Sequence, residues 1–295
     1  MDTYVKYGLV LALLALAAWA VATKPDFSLE KTTPSGNLVK IPSHAVEIAP
    51  GVFSLGTAVH NGKLVEGFAI VDYKRTFGKP GGCNDDGTCQ GWEDASCPDC
   101  AGEARLPPAV STCYGFLAKG AKWKTVEPYL INARNSAGID STVIQGNMAL
   151  DISKWETAAS KDILGLGTLT SDALEADMKA PDGKNEVYFA DIADNNAIAI
   201  TIVWGNFKGP AAGRELVEWD QVFDDVDYNW SSTGEPGRMD FENIATHELG
   251  HSVGLNDLYN SGCANETMYG YADYGETMKR SLEAGDIAGI KALYG

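Results

Sequence analysis

The stretch ATHELGHSVGLND, Ala245–Asp257, constrains this chain more than any other part of it. Asp240 stands where a helix N-cap is wanted, and Phe241, Ile244, Ala245, Leu249 and Val253 follow at core-facing helical spacing. On such a helix His247 and His251 lie about 40° apart around the axis and about 6 Å apart along it, so both imidazoles reach one metal ion. Glu248 projects beside them, a carboxylate able to take a proton from a water that the metal activates. Gly254 lets the chain leave the helix with positive φ and turn back, which makes Asp257 the candidate third ligand. A helix with two accidental histidines is the competing reading, and the glycine and aspartate at those spacings weigh against it.

The rest of the chain bounds where such a site can work. With 295 residues, 45% hydrophobic, it can bury one substantial core and a second, smaller domain. A net charge of −17, from 40 acidic against 23 basic side chains, repels phosphate backbones and argues against nucleic acid as a partner. An apolar run from Gly8 to Ala22 follows Lys6 and ends in Ala20-Val21-Ala22, the shape of an export signal over 1–22; an uncleaved membrane anchor is the alternative. Either way the bulk of the chain is expected to be secreted or extracellular. Six cysteines, an even number, suit that compartment, and disulfides are the default reading for Cys83, Cys89, Cys97, Cys100, Cys113 and Cys263.

Three further regions follow. Residues 23–78 carry spaced prolines and then short β-type runs, with Asn61-Gly62 as a hairpin signal, and read as a small β-rich leader, either packed on the next domain or removed as a pro-segment. Residues 79–112 form a region whose stretch GGCNDDGTCQGWEDASCPDCAG, 81–102, holds almost no apolar side chains but four cysteines, so cross-links or a metal must order it. They resemble short secreted modules of the type CGDGxCxxGExxxxCPxDC, with Asp85, Asp86, Glu93 or Asp94 as calcium candidates. Residues 113–295 alternate strands and helices: AKWKTVEPYLINA, NEVYFADI, NAIAITIVWG and RELVEWDQVFDD read as strands. DSTVIQGNMALDISKWETAAS reads as an amphipathic helix facing inward through Val143, Met148, Ile152 and Trp155, and a closing helix is expected to start at Ser281. The fold class expected is α/β, in the α+β sense.

HELGHSVGLND matches the pattern HExxHxxGxx[HD] and so resembles the metzincin metalloproteases, in the aspartate variant also found in snapalysin-like enzymes. ETMYGYADYGE looks like a Met-turn placing Met268 beneath the metal, although alone Met268 reads as a core thioether. GDIAGIKALYG is similar to the closing helix of matrixins, and VFDDVDYNW to the matrixin stretch HFDDDExW, which makes Asp224 and Asp227 calcium candidates; solvated strand-end charges are the other reading. The resemblance runs from about Cys113 to the C-terminus and is strongest after Glu218. It implies a twisted mixed sheet, a backing helix, an active-site helix, a Met-turn and a C-terminal helix. Departures are informative. Val222 stands where matrixins carry a histidine, so a second zinc is not expected. The latency motif PRCGxPD is absent, with only a faint echo in SCPDC. The usual Asp-Asp pair of the closing helix is reduced to Asp286 after Gly285. Cys113 and Cys263 stand apart from the other cysteines and are expected to pair, one of the fifteen connectivities that six cysteines allow.

The resemblance implies a zinc endopeptidase acting on peptide or protein substrates: one catalytic zinc held by His247, His251 and Asp257, with Glu248 as base and then acid. Asp257 acting only as hydrogen-bond acceptor for a ligand histidine is the alternative. The peptide is expected to lie extended along an edge strand near AITIVWG. A secreted binding or adhesive protein on the same scaffold competes with this reading but gives Glu248 no task, and a zinc hydrolase of non-peptide substrates also stands.

Overall fold

A computed structural model describes residues 38–75 and 112–295. The segment 1–22 and the cysteine-rich stretch up to residue 111, with Cys83, Cys89, Cys97 and Cys100, lie outside the described residues. No helix among the described residues is long and apolar enough to cross a membrane.

The principal elements are β1 Val46–Ala49, β2 Val52–His60, β3 Lys63–Lys74, β4 Glu127–Asn132, α1 Ser141–Ala159, β5 Leu164–Leu169, β6 Asn185–Ile192, β7 Ala197–Asn206, β8 Glu215–Asp224, α2 Phe241–Ser252 and α3 Ala284–Tyr294. The strands join in one mixed sheet ordered β1-β2-β3-β7-β8-β6-β4-β5. Neighbours from β1 to β8 are antiparallel, and those from β8 to β5 are parallel. Two short segments extend it: Leu38–Val39 beside β6 and Tyr271–Ala272 beside β3, both parallel.

β7 shows why the sheet forms the molecule's middle layer. All of it but Asn206 is buried, which an apolar run of this kind requires when both sheet faces are covered. Ala199 and Val203 face the core shared with the helices, while Ile200, Ile202 and Trp204 face a second core closed by Leu174 and Ala176. The turn joining β2 to β3 fits its sequence: Asn61 and Gly62 both have positive φ, +48° and +75°, as a two-residue hairpin loop demands.

Two helices depart from expectation. On α1 the inward face runs through Ile144, Met148, Ile152 and Trp155, whereas Val143 is 38% exposed. Residues 144, 148 and 152 share one i,i+4 row, and Val143 lies a hundred degrees or so off it. Burying four such side chains, each worth about 1.5–3 kcal/mol, outweighs the marginal stability of an isolated helix. The closing helix starts at Ala284 rather than near Ser281, because Glu283 and Asp286 form a capping box; Asp286 accepts the Glu283 N–H at 2.9 Å.

Strands from both sides of residue 78 share the sheet, so the β-rich leader packs on the region that follows. β3 pairs with β7 along most of its length, and Val52 and Ile70 belong to the same core as α2. Cys113 and Cys263 form a disulfide across 150 residues of sequence.

Candidate metal centre

α2 is held on every side. Asp240 caps it by accepting the Asn243 N–H at 3.0 Å, and Phe223, Trp230 and Phe241 pack their rings 5.1–6.4 Å apart at its N-terminus. Trp155 donates its indole N–H to the Thr246 carbonyl at 3.0 Å, fixing α1 against α2. Past the last helical turn, Trp123 donates to the Ser252 carbonyl at 2.7 Å and Tyr294 to that of Val253 at 2.9 Å, satisfying C-terminal oxygens that the helix leaves open. Gly254 then sits at φ +104°, where a Cβ would also lie 2.9 Å from the Ala121 carbonyl. Only glycine meets both demands.

That turn returns the chain to the histidines. Asp257 Oδ1 lies 3.2 Å from His247 Nε2 and 3.4 Å from His251 Nε2, and all three side chains are fully buried. His247 Nδ1 donates to the Thr267 carbonyl at 2.7 Å, and His251 Nδ1 to that of Leu255 at 3.1 Å. Both Nε2 lone pairs therefore point toward Asp257. The Tyr259 hydroxyl, 3.1 Å from Asp257 Oδ2, fixes that carboxylate with Oδ1 inward. Neither Nε2 nor Asp257 Oδ1 has a hydrogen-bond partner. Three buried, convergent, unpartnered donors of the N, N, O type fit a divalent cation such as zinc.

The electrostatics agree with a set built around positive charge. Burial works against ionisation of Asp257, but His251 and His247 outweigh it and hold the carboxyl well below the usual range. Burial likewise works against His251, yet Asp257, Glu248 and the Leu255 carbonyl raise it to about 9. Burial pushes Glu248 up to about 7, opposed by the two histidines and assisted by Asp72. The Thr201 hydroxyl donates to Glu248 Oε2, while Oε1 has no partner.

Behind the helix, a Cβ on Gly250 would lie 2.1 Å from Met268 Sδ, so the thioether packs directly on the α2 backbone. Asp286 accepts the Thr267 N–H at 2.7 Å and the Met268 N–H at 3.1 Å, bracing the carbonyl that orients His247. Gly285 has its own reason to lack a side chain, since a Cβ there would lie 2.2 Å from the Cys113 carbonyl.

Asp224 and Asp227 lie elsewhere, grouped with Asp191 at the end of β8. Asp224 accepts backbone N–H groups of Ile192 at 2.8 Å, Val226 at 3.0 Å and Asp227 at 2.6 Å, so its carboxylate shapes the turn. A second acidic group is Asp177, Asp182 and Glu218, where burial pushes Glu218 up to about 9.

Sequence reasoning missed Thr201, Tyr259, Gly250, the buried Lys279, whose ammonium donates to the Tyr269 carbonyl, and Asp72. Asp72 carried a signal. In FAIVDYK it shares strand parity with Phe68 and Ile70, so it belongs to the helix-facing side of an apolar strand. The AITIVWG run itself is interior to the sheet: β7 has β3 on one side and β8 on the other.

Residues 174–295 match the model of the family described as Matrixin. Among known proteins, matrilysin of Rattus norvegicus is 41% identical over 87 residues, covering 30% of this chain and 29% of the relative. Matrilysin of Mus musculus is 42% identical over 87 residues with the same coverage. The match thus spans about three tenths of those relatives' length. Metalloproteinase-II from Bacteroides fragilis aligns over 80% of this chain and 73% of its own at 9% identity, with a TM-score of 0.28, too low to carry an argument.

Proposed function

We propose that this chain, whose residues 174–295 are matrixin-like, is a zinc-dependent endopeptidase that uses His247, His251 and Asp257 as ligands and Glu248 for proton transfer. The observation that carries the reading is the convergence of His247 Nε2, His251 Nε2 and Asp257 Oδ1, all buried and none with a hydrogen-bond partner. Zinc bound there supplies a Lewis acid that acidifies water and polarises a carbonyl. The chain's own groups do the rest. The Thr267 and Leu255 carbonyls set the imidazole tautomers, and Tyr259 sets the Asp257 rotamer. Glu248, steadied at Oε2 by Thr201, takes the proton of the attacking water at Oε1 and returns it to the departing amine. Met268, backed by Asp286, serves as the Met-turn that supports the helix from below. An aspartate in place of a third histidine lowers the charge of the centre by one and makes the water less acidic, an effect the Tyr259 hydrogen bond partly offsets.

Peptide or protein chains are the substrates in this reading, and secretion rests on the apolar run at Gly8–Ala22. Calcium at Asp224 and Asp227 has less behind it, because Asp224 already accepts three backbone N–H groups. A binding protein without cleavage would leave the Glu248–Thr201 pair beside the ligands without a task. Incubation with a mixed peptide library, with and without a zinc chelator, tests the proposal. Internal cuts that the chelator abolishes are expected; binding without cuts, or cuts indifferent to the chelator, would overturn it.

A further inference from the structure

Lys279 and Arg280 are neighbouring cations with opposite surroundings. The Arg280 guanidinium meets Asp240 at 2.6 and 2.8 Å and Glu242 at 3.5 Å. Lys279 turns inward, is 2% exposed, and pairs with no carboxylate among the described residues. Burying an ammonium without a counter-charge is unfavourable, and the scheme above gives this one no task. Its position beside the proposed ligands supplies one.

Both ends of the residue are fixed. Its backbone N–H, in the short turn Met278–Arg280, donates to Asn243 Oδ1 on α2 at 2.8 Å, and its Nζ donates to the Tyr269 carbonyl, one residue past Met268. Nζ then lies 3.4 Å from His247 Nδ1. That ring nitrogen already gives its hydrogen to the Thr267 carbonyl, so it cannot accept one from the ammonium, and the two meet as a charge beside a ring. On the far side of the same imidazole, Nε2 is 3.2 Å from Asp257 Oδ1. One ring thus separates the cation of Lys279 from the anion of Asp257.

We infer that Lys279 is a positioning residue of the centre: acting through His247, its ammonium offsets the negative charge that Asp257 brings, so that His247, His251 and Asp257 together present the electrostatics of three neutral histidines. The inference rests on the zinc reading proposed above. A fixed positive charge at this range opposes the uptake of a divalent cation and favours an anion at the same place. Negative charge that develops on a peptide carbonyl during hydrolysis is such an anion, so the lysine gives up metal affinity in favour of the reaction.

The test uses the full chain as wild type, as Lys279→Met, which removes the charge at similar length, and as Lys279→Gln, whose amide can still donate to the Tyr269 carbonyl. Cobalt(II) is titrated against a competing chelator, and sodium thiocyanate is then titrated into the cobalt-loaded proteins while their visible absorption is followed. Both neutral variants should bind cobalt about tenfold or more tightly than wild type, and should respond to thiocyanate only at a concentration about threefold or more higher. A purely structural role would weaken metal binding instead. Without metal the variants, rid of a buried unpaired charge, should melt no lower than wild type. Cobalt affinity unchanged or lower in the neutral variants, or a thiocyanate response equal to that of wild type, would overturn the role of Lys279 while leaving the zinc centre standing. A wild-type chain that takes up no cobalt would overturn both.

Discussion

The run from β8 to α3 and the β2–β3 hairpin meet at the same buried point, yet they hold their side chains there by opposite means. In the first, short-range devices do the placing: an i,i+4 pair, a glycine three residues after His251, and Asp286 reaching back to Thr267 and Met268. In the hairpin, Asp72 is placed only by strand pairing with β7 and with Tyr271–Ala272, elements far along the chain. A side chain placed by local geometry stays wherever its helix stays. One placed by pairing depends on strands far along the chain.

Substitutions can break this contrast, and the largest effect should come from the locally encoded half. Glu248→Ala should lower peptide cleavage by about 10²–10⁴-fold while metal content, measured by elemental analysis, stays at the wild-type level. A variant that loses its metal as well would assign Glu248 to the ligand set instead. Replacing both Cys113 and Cys263 by serine should lower stability by about 2–5 kcal/mol in denaturant melts, because the cross-link closes a loop spanning 150 residues of sequence.

Gly67→Val addresses the hairpin alone. A Cβ at Gly67 would lie 2.7 Å from the Trp204 ring, and Trp204 is fully buried and cannot give way. The expected cost is about 1–3 kcal/mol. Amide exchange should quicken over residues 63–74 and not over 241–252; equal quickening of α2 would mean that the two regions open as one.

The smallest effect is a drift with pH in metal-free buffer. Burial raises Glu218 to about 9, moves Asp220 well above its ordinary value, and also raises Asp177 and Glu186. The folded chain therefore holds more protons than the unfolded one between the ordinary carboxylate range near pH 4 and about pH 9, so stability falls as pH rises through that window. The melting temperature should drop by a few degrees from pH 5 to pH 8. A rise would show that these groups are stabilised as anions.

Much of the centre was legible beforehand because its rules are local. Periodicity locates α2, and the charge-and-glycine pattern picks out His247, Glu248, His251, Gly254 and Asp257 from the sequence alone. Strand composition found β4, β6, β7 and β8, and Asn61-Gly62 found the hairpin turn. The errors sit where a neighbour decides. Val143 and Ile144 are equally apolar, and only the surface that α1 packs against selects Ile144. Ser281 and Glu283 both suit a helix start, and the tie is broken by Asp286, whose carboxylate reaches the Glu283 N–H.

The sequence by itself determined the donors, because residue type and spacing along one backbone set which atoms can converge within a helix and its exit turn. It also determined the strands, through their runs of β-branched and aromatic side chains. Only the tertiary structure decided that the strands of residues 46–74 join the main sheet, that β3 and β8 flank β7, and that Asp72 lies beside His247 and Glu248. Strand order depends on contacts between segments far apart along the chain, and a backbone edge pairs with any strand of suitable register, so no local pattern specifies its partner.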